Sequence, residues 1–428
     1  MSAAEQLDEL RDLAEGLAAA EPSATDGLDA IRIPHINIEV FRETDAFEDV
    51  WARAAEDRRL VTTNTEIFTG GFPAAIKRYT QQRTPNMIIV ETDSTDEVLQ
   101  FETDSLAEVC DPDTQLIIVG HRNDIALYQK MLNMGVANYM VYPVTVASII
   151  EAISEVYKEP GKEKIGHITA VIGAKGGVGA STIAQNMALL SGNSTGTDVM
   201  LVDMDIAFGT ASLNLDIEPN QGLSELIDQA ERLDAAMLDR VLVKRGLHLS
   251  LLSTPPSLEN DRLMDEYSVE QLLDVAGTHI PHTVLDLPHS WTESTRRALV
   301  GADDVILVAT PELGCLRNAT AMLTQLRAMR PNDARPHLVL NQADMPRRQE
   351  IAAREIAQIL KVEPLACVPH DPKTFSQATS AAKMVCEVGA RKPVGKAMEQ
   401  IVKGLAEVKS SPTAEKRKRP LFRSWSKK

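Results

Sequence analysis

The stretch GAKGGVGAST, residues 173–182, constrains the fold of this chain most. The apolar run ITAVI before it is typical of a buried strand, and the run IAQNMALL after it has helical periodicity. Gly176, Gly177 and Gly179 let backbone N–H groups close around phosphate oxygens, and the positive end of the following helix faces the same anion. The sequence therefore predicts a strand, a phosphate-binding loop and a helix in that order. A plain strand-to-helix turn is the alternative interpretation.

Chain length and the spacing of apolar runs predict two α/β domains. A chain of 428 residues exceeds the roughly 250–300 residues at which a single core stops growing. Four strand-like runs precede the polar, Pro- and Gly-containing segment KEPGKEK, and seven follow it, each separated by room for a helix. Both domains are therefore predicted to be doubly wound. The predicted segments are an acidic helix and linker (1–32), a first domain (33–158), a linker (159–164), a second domain (165–408) and a basic tail (409–428).

Composition and charge exclude several classes of protein. The chain has 44 Lys and Arg against 61 Asp and Glu, and a net charge of -17 argues against general electrostatic binding of nucleic acid. No run approaches the 18 apolar residues of a membrane span, and the first residues lack the pattern of a signal peptide. The four cysteines form no CxxC pair. These features predict a reduced, cytoplasmic protein.

The phosphate-binding loop resembles the deviant Walker A motif of the ParA/MinD family, KGGxGK followed by two Ser or Thr residues. The resemblance implies that Lys175 reaches across a nucleotide-sandwich homodimer to the phosphates of the partner. It also implies that Ser181 holds Mg2+ and that Thr182 contacts the α-phosphate of ATP. The loop residues expected to bind ATP are Gly176, Gly177, Val178, Gly179, Ala180, Ser181 and Thr182.

Ala180 departs from the family pattern, because a second lysine usually stands at this position. That lysine places positive charge at the β- and γ-phosphates, and electrostatic stabilisation is the main source of catalysis in phosphoryl transfer. We therefore expect ATP binding with slow hydrolysis or none, so that any ATPase activity is weak.

Later motifs agree with the resemblance in their order along the chain, which covers nearly all of residues 165–408. It implies that Asp205, with Lys175, is catalytic and orients the attacking water, and that Asp203 and Asp286 join Ser181 around Mg2+. Any one of these aspartates could instead cap a helix. The residues that match adenine-contacting loops are Asn341, Pro369 and Asp371.

The first domain resembles response-regulator receivers, in the runs PNMIIVE and GVANYMVYP. The resemblance implies a flavodoxin-like fold. Glu91 stands where the phosphoacceptor aspartate is expected, Tyr142 replaces the lysine, and only Glu43 approximates the acidic metal pair. The sequence thus predicts a pseudo-receiver that serves docking or dimerisation. A working receiver that uses Asp93 is the alternative.

The combination of the two halves resembles the CpaE/TadZ family of tight-adherence (Flp) pilus assembly. That resemblance implies a polar localisation scaffold, a homodimer that recruits the pilus secretion ATPase and other assembly components. The tail KRKRPLFRSWSKK interleaves basic residues with Leu421, Phe422 and Trp425, which favours peripheral contact with the anionic inner membrane. A solvated tail, or one that contacts nucleic acid, is the alternative, although no specific nucleic acid is expected.

Two other functions are compatible with the same residues. A cycling ParA/MinD-like ATPase would position DNA or division machinery, with Lys175 compensating for Ala180. A stress-response regulator would bind a signalling partner through its first domain.

Overall fold

The structure is a computed structural model that describes residues 33, 36–60, 63–157, 166–218, 222–255 and 264–410. The predicted acidic helix, the linker over 159–164 and the basic tail beyond Ser410 lie outside these ranges. Within them, no helix is both long and apolar enough to cross a bilayer.

The N-terminal domain is a five-stranded parallel sheet in the order β2-β1-β3-β4-β5, with helices on both faces. Its strands are β1 (Asn37–Arg42), β2 (Asn64–Thr69), β3 (Met87–Thr92), β4 (Gln115–Gly120) and β5 (Asn138–Val141). Its helices are α1 (Asp45–Ala55), α2 (Gly71–Tyr79), α3 (Asp96–Ala107), α4 (Ile125–Asn133) and α5 (Val146–Tyr157).

The central strand β3, MIIVET, is buried along its whole length, as expected of a parallel strand covered on both faces. Two apolar clusters flank the sheet. Phe47 and Trp51 of α1 pack with Ile149 of α5 on one face, whereas the helices α2, α3 and α4 cover the other. The edge strand β2, NTEIFT, was missed in the sequence because it is largely exposed and has only two large apolar residues.

The second domain is an eight-stranded sheet in the order β13-β12-β11-β6-β10-β7-β9-β8. All seven predicted strands form, and they pair with one another in parallel. The edge strand β8 was not predicted; it has three residues and pairs antiparallel with β9. The strands are β6 (His167–Gly173), β7 (Val199–Asp203), β8 (Val243–Arg245), β9 (Leu249–Leu252), β10 (His282–Asp286), β11 (Asp304–Ala309), β12 (His337–Ala343) and β13 (Pro364–Pro369).

The helices of this domain pack their apolar sides on the sheet. The last helix reaches Ser410, two residues beyond the predicted domain boundary at 408. The helices are α6 (Ala180–Thr195), α7 (Ala211–Asn214), α8 (Gly222–Asp228), α9 (Ala235–Val241), α10 (Glu266–His279), α11 (Glu293–Gly301), α12 (Leu313–Met329), α13 (Ala353–Leu360), α14 (Pro372–Ser380), α15 (Val385–Val388) and α16 (Pro393–Ser410), with a 3-10 turn over Ala230–Arg232.

The two domains contact each other through charged side chains that are almost completely buried. Asp333 lies at the centre: it accepts hydrogen bonds from Arg58 Nε at 2.6 Å, from Arg330 Nε at 2.8 Å and from Arg59 Nη2. Asn332 Nδ2 donates to Asp57 Oδ2 at 2.9 Å across the same boundary. Burial alone raises the pKa of Asp333, but the three guanidinium groups outweigh it and lower that pKa to about 2.

Candidate nucleotide site

The loop after β6 is shaped by glycines and is open to solvent. Gly177 and Gly179 have φ of 79° and 85°, in the left-handed region that favours glycine, and α6 begins immediately afterwards at Ala180. A Cβ added at Gly177 would meet no atom within 4 Å. The backbone is therefore accessible to a phosphate group from outside, as the sequence predicts for this loop.

Two side-chain amides of β12 donate hydrogen bonds to carbonyl groups of the loop. Asn341 Nδ2 donates to the Val178 carbonyl at 2.7 Å, and Gln342 Nε2 donates to the Gly177 carbonyl at 3.1 Å. A Cβ at Gly179 would come within 2.4 Å of Asn341 Nδ2, so this close approach also requires glycine. Asn341 is buried and its Oδ1 accepts the backbone N–H of Gln342. In this structure Asn341 positions the loop, and its contact with adenine stays a prediction.

Lys175 points outward. Its side chain is 53% exposed, and Nζ donates to Glu312 Oε1 at 2.8 Å. The hydrogen bond and the opposite charge raise the pKa of Lys175 and lower that of Glu312. An exposed ion pair of this kind contributes little to stability. Lys175 can therefore exchange Glu312 for a phosphate at little cost.

Glu312 lies in the run VATPELGCLRNA, which resembles a TxPE turn of the ParA/MinD family, but it was not among the predicted site residues. It lies at the start of α12, three residues after the end of β11, and β11 is the neighbour of β6. The hydrogen bond from Ala174 N to the Val308 carbonyl, 2.8 Å, joins the two strand ends. Only the pairing of strands that are distant in sequence places Glu312 beside Lys175.

Asp203 and Asp286 end the neighbouring strands β7 and β10 in register with each other. Both are buried, and Asp203 accepts the backbone N–H groups of Asp205 and Ala211 at 3.2 and 3.0 Å. Burial raises the pKa of Asp203 to about 6. Burial and the charge of Asp203 raise the pKa of Asp286 well above its ordinary value, whereas the Ser181 hydroxyl acts in the opposite direction.

These residues fit a Mg2+ ion. Within the part of the chain that the structure describes, the buried Asp286 Oδ1 has no hydrogen-bond partner, and no group of three or more His, Cys, Asp or Glu forms a protein-only metal cage. Mg2+ prefers oxygen ligands and usually takes one or two carboxylates, completing its shell with water and substrate phosphates. The predicted ligands Ser181, Asp203 and Asp286 are brought together at this point, next to the phosphate-binding loop.

The other predicted site residues have structural partners of their own. Asp205 Oδ1 accepts the Phe208 backbone N–H at 3.0 Å, which fixes the turn after β7. Pro369 ends β13, next to β12, and Asp371 caps α14 through the Thr374 backbone N–H at 3.0 Å. The sheet therefore brings these residues to the same end as the loop. Their roles toward water and adenine stay predictions.

The raised pKa values predict a pH dependence. Folding raises the pKa of Asp203 from about 3.9 in the unfolded chain to about 6. This carboxyl group therefore stabilises the folded state at a pH below about 3.9, and its contribution is lost as the pH rises through about 6. At pH 8 we therefore expect Asp286→Asn to raise the free energy of unfolding of the ligand-free chain by about 1–3 kcal/mol. Thermal unfolding at pH 5 and pH 8, with and without Mg2+ and ADP, measures this effect.

The same experiment should distinguish the predicted Mg2+ ligands Asp203 and Asp286 from the nearby Asp205. Stabilisation by Mg2+ with ADP should grow as the pH rises through about 6 and should be lost in Asp286→Asn. Asp205→Asn is the matched control and should keep it. Equal stabilisation by Mg2+ at pH 5 and pH 8, or in Asp286→Asn, would show that these carboxylates do not hold the ion.

Comparison with known proteins agrees with the geometry. A family model described as an AAA domain matches residues 166–339. The septum site-determining protein MinD of Helicobacter pylori is 24% identical over 228 residues, which cover 51% of this chain and 83% of that protein. The structure of a ParA family ATPase from Chlorobium tepidum is 24% identical, covers 56% of this chain and 98% of its own, and superposes with a TM-score of 0.51.

A pilus assembly protein CpaE from Caulobacter crescentus is 36% identical over 30% of this chain and 98% of that structure, with a TM-score of 0.30. The residues that the family model matches include the glycine loop and the paired aspartates Asp203 and Asp286. The chain thus resembles ParA/MinD-type P-loop ATPases in sequence and in fold.

Proposed function

We propose that this protein is a nucleotide-dependent dimeric scaffold that marks the site of tight-adherence (Flp) pilus assembly and secretion. It binds ATP with Mg2+ and hydrolyses ATP slowly or not at all. The observation that carries the proposal is that the loop has Ala180 where a lysine is expected but keeps Lys175. The loop keeps its phosphate-binding backbone but has no lysine at its base, whereas the remaining lysine is exposed and points away from the loop.

The surface around the loop supports a dimer. Phe208 and Leu213 are exposed after Asp205, and Trp291 is partly exposed after Asp286. These residues follow the ends of β7 and β10, beside β6, and exposed large apolar residues are typical of a surface that a partner covers. A second copy of the chain would cover these side chains and receive Lys175 at its own phosphates.

The N-terminal domain supports a docking role without phosphotransfer. Its strand order, 2-1-3-4-5, is that of flavodoxin-like sheets, which is consistent with a pseudo-receiver. Glu91 is buried, and its carboxylate accepts the backbone N–H groups of Glu43 and Thr44 at 2.7 and 2.8 Å and the Thr44 hydroxyl. Glu91 therefore holds the loop between β1 and α1, where a phosphoacceptor would need a free oxygen.

The alternative phosphoacceptor, Asp93, lies beyond the end of β3 and donates its backbone N–H to Glu43 Oε2 at 3.2 Å. The position of the receiver lysine is taken by Tyr142, whose ring stacks on His121 with centroids 4.7 Å apart. These contacts support a domain that docks through its surface and is not phosphorylated beside Glu43 and Glu91.

The pilus assignment rests on the resemblance of both halves of the sequence to the CpaE/TadZ family. It implies a polar, cytoplasmic position, contact with the pilus secretion ATPase, and peripheral attachment to the inner membrane through the tail.

The second candidate function is a cycling ATPase that positions DNA or division machinery, which the similarity to a septum site-determining protein favours. Binding to the purified pilus secretion ATPase of the same organism would support the pilus scaffold. Release from DNA or from a division protein that depends on ATP turnover would support the cycling ATPase.

The dimer is tested by measuring the mass of the full-length chain in solution with Mg2+ and ATP or ADP. We expect dimers with ATP and monomers with ADP, and we expect Lys175→Ala to stay monomeric with ATP because the cross-dimer contact is lost. Glu312→Gln is the matched control: it frees Lys175 from its ion pair and should keep the dimer. Dimerisation of Lys175→Ala to the same extent as the unaltered chain would overturn the proposed role of this lysine.

A further inference from the structure

One face of the N-terminal domain carries a group of exposed apolar side chains on α3 and α4. Phe101 of α3 is 72% exposed and Ile125 of α4 is 76% exposed. We call this surface the α3–α4 face. Its exposed apolar residues are Val98, Phe101, Ile125, Tyr128 and Leu132.

The two helices are neighbours on the same side of the sheet. Their inner residues, including Leu99 and Leu127, pack into one apolar cluster. Arg122, just before α4, forms an ion pair with Asp96 at the start of α3 at 3.1 Å. On each helix the outer apolar residues are spaced three or four positions apart, which aligns them in a stripe. Each helix therefore carries one apolar stripe on its exposed side.

The charge around the face is mostly negative. From Asp96 to Glu108 the chain has acidic residues and no lysine or arginine. Asp124 adds a further carboxylate before α4, whereas the basic residues here are Lys130 and Arg122, of which Arg122 is paired with Asp96. An acidic rim around apolar stripes fits a segment that is basic and carries large apolar side chains.

We propose that the α3–α4 face is the docking site of the chain's own C-terminal segment, residues 416–428. This segment, KRKRPLFRSWSKK, has seven basic residues, no acidic residue, and the apolar side chains Leu421, Phe422 and Trp425. Its charge is opposite to that of the face, and its apolar residues match the two stripes. It lies outside the described residues.

The length of chain after α16 sets how far the tail can reach. Trp425 is 15 residues beyond Ser410, the end of α16, because 425 - 410 = 15. An extended segment of that length spans roughly 50 Å. A domain of the size of the N-terminal one has a diameter of roughly 35 Å. A tail held on this face would be withheld from an anionic membrane, so that membrane and face compete for the same residues.

The docking is tested with a fluorescently labelled peptide of residues 416–428 and measurement of its anisotropy without nucleotide. The host is the full-length chain whose own tail carries Leu421→Ser, Phe422→Ser and Trp425→Ser. We expect binding that weakens with salt. Adding Phe101→Ser and Ile125→Ser to the host should weaken it by about tenfold or more, because large apolar side chains are lost from the contact.

Two controls make the result specific. Leu247→Ser removes an apolar side chain that is 89% exposed in the turn between β8 and β9, and it should leave peptide binding unchanged. The unaltered chain should bind the added peptide about tenfold more weakly than the host, because its own tail occupies the face. Circular dichroism and the unfolding midpoint verify that each variant is folded.

The proposal is overturned if the peptide does not bind the host, if Phe101→Ser with Ile125→Ser leaves binding unchanged, or if the unaltered chain binds as well as the host. The inference does not depend on the proposed nucleotide-dependent function. A failure of ATP-dependent dimerisation would leave these results unaffected, because the peptide experiment contains no nucleotide.

Discussion

The Ala180→Lys variant is expected to hydrolyse ATP about 10²–10³-fold faster than the unaltered chain. Ala180 is the first residue of α6, directly after Gly179, so that a lysine there would extend from the helix N-terminus toward the bound phosphates. The added ammonium group would stabilise charge that develops on the transferring phosphoryl group. Release of phosphate from Mg-ATP by the purified full-length variants measures the effect.

Ala180→Met is the matched control for this substitution. Its side chain is long and flexible but uncharged, so it should not accelerate hydrolysis. A gain of turnover in Ala180→Met comparable to that in Ala180→Lys would show that loop geometry, and not the missing charge, limits catalysis. No gain in Ala180→Lys, with ATP still bound, would contradict the explanation given for slow hydrolysis.

Asp333→Asn is expected to lower the free energy of unfolding by about 3–5 kcal/mol, the usual cost of removing one partner from a buried ion pair. Asp333 is buried against the guanidinium groups of Arg58, Arg59 and Arg330, and the amide cannot offset their charge. Because Arg58 and Arg59 belong to the N-terminal domain, the loss should weaken the contact between the domains. Urea unfolding of the full-length chain measures it.

The control for this prediction is Glu225→Gln. Glu225 pairs with Arg240 on the surface at 2.5 Å, and the loss of such an exposed pair should cost under about 1 kcal/mol. The pKa of Asp333 is depressed to about 2, so its contribution should be present above the unfolded value of about 3.9 and lost as the pH falls toward 2. Equal effects of Asp333→Asn and Glu225→Gln would mean that the interdomain cluster contributes no more than a surface pair.

The parts of the fold that were predicted correctly depend on local signals. Gly177 and Gly179 have positive φ, and the apolar runs on each side of them fix strand and helix, so residues 173–182 could be interpreted without any long-range information. The strands β2 and β8 were missed for the opposite reason. Both lie at sheet edges and are partly exposed, so their residues lack the apolar pattern of a buried strand.

The parts of the site that were missed depend on pairing between distant segments. Glu312 meets Lys175 because β11 lies beside β6, although 137 residues separate them. Arg58 meets Asp333 across 275 residues and across the domain boundary. Asn341 Nδ2 donates to the Val178 carbonyl, 163 residues away, a contact separate from its predicted one with adenine. A linear sequence gives no direct signal for any of these contacts.

The most direct test of the central claim measures Mg-ATP binding and ATP turnover on the same sample of the unaltered full-length chain. The complete glycine loop, the paired carboxylates of Asp203 and Asp286, and Ala180 at the helix start predict saturable binding with negligible turnover. Rapid turnover would contradict the account and identify a cycling ATPase. Absence of binding would contradict it equally, because the loop would then have kept its shape without its ligand.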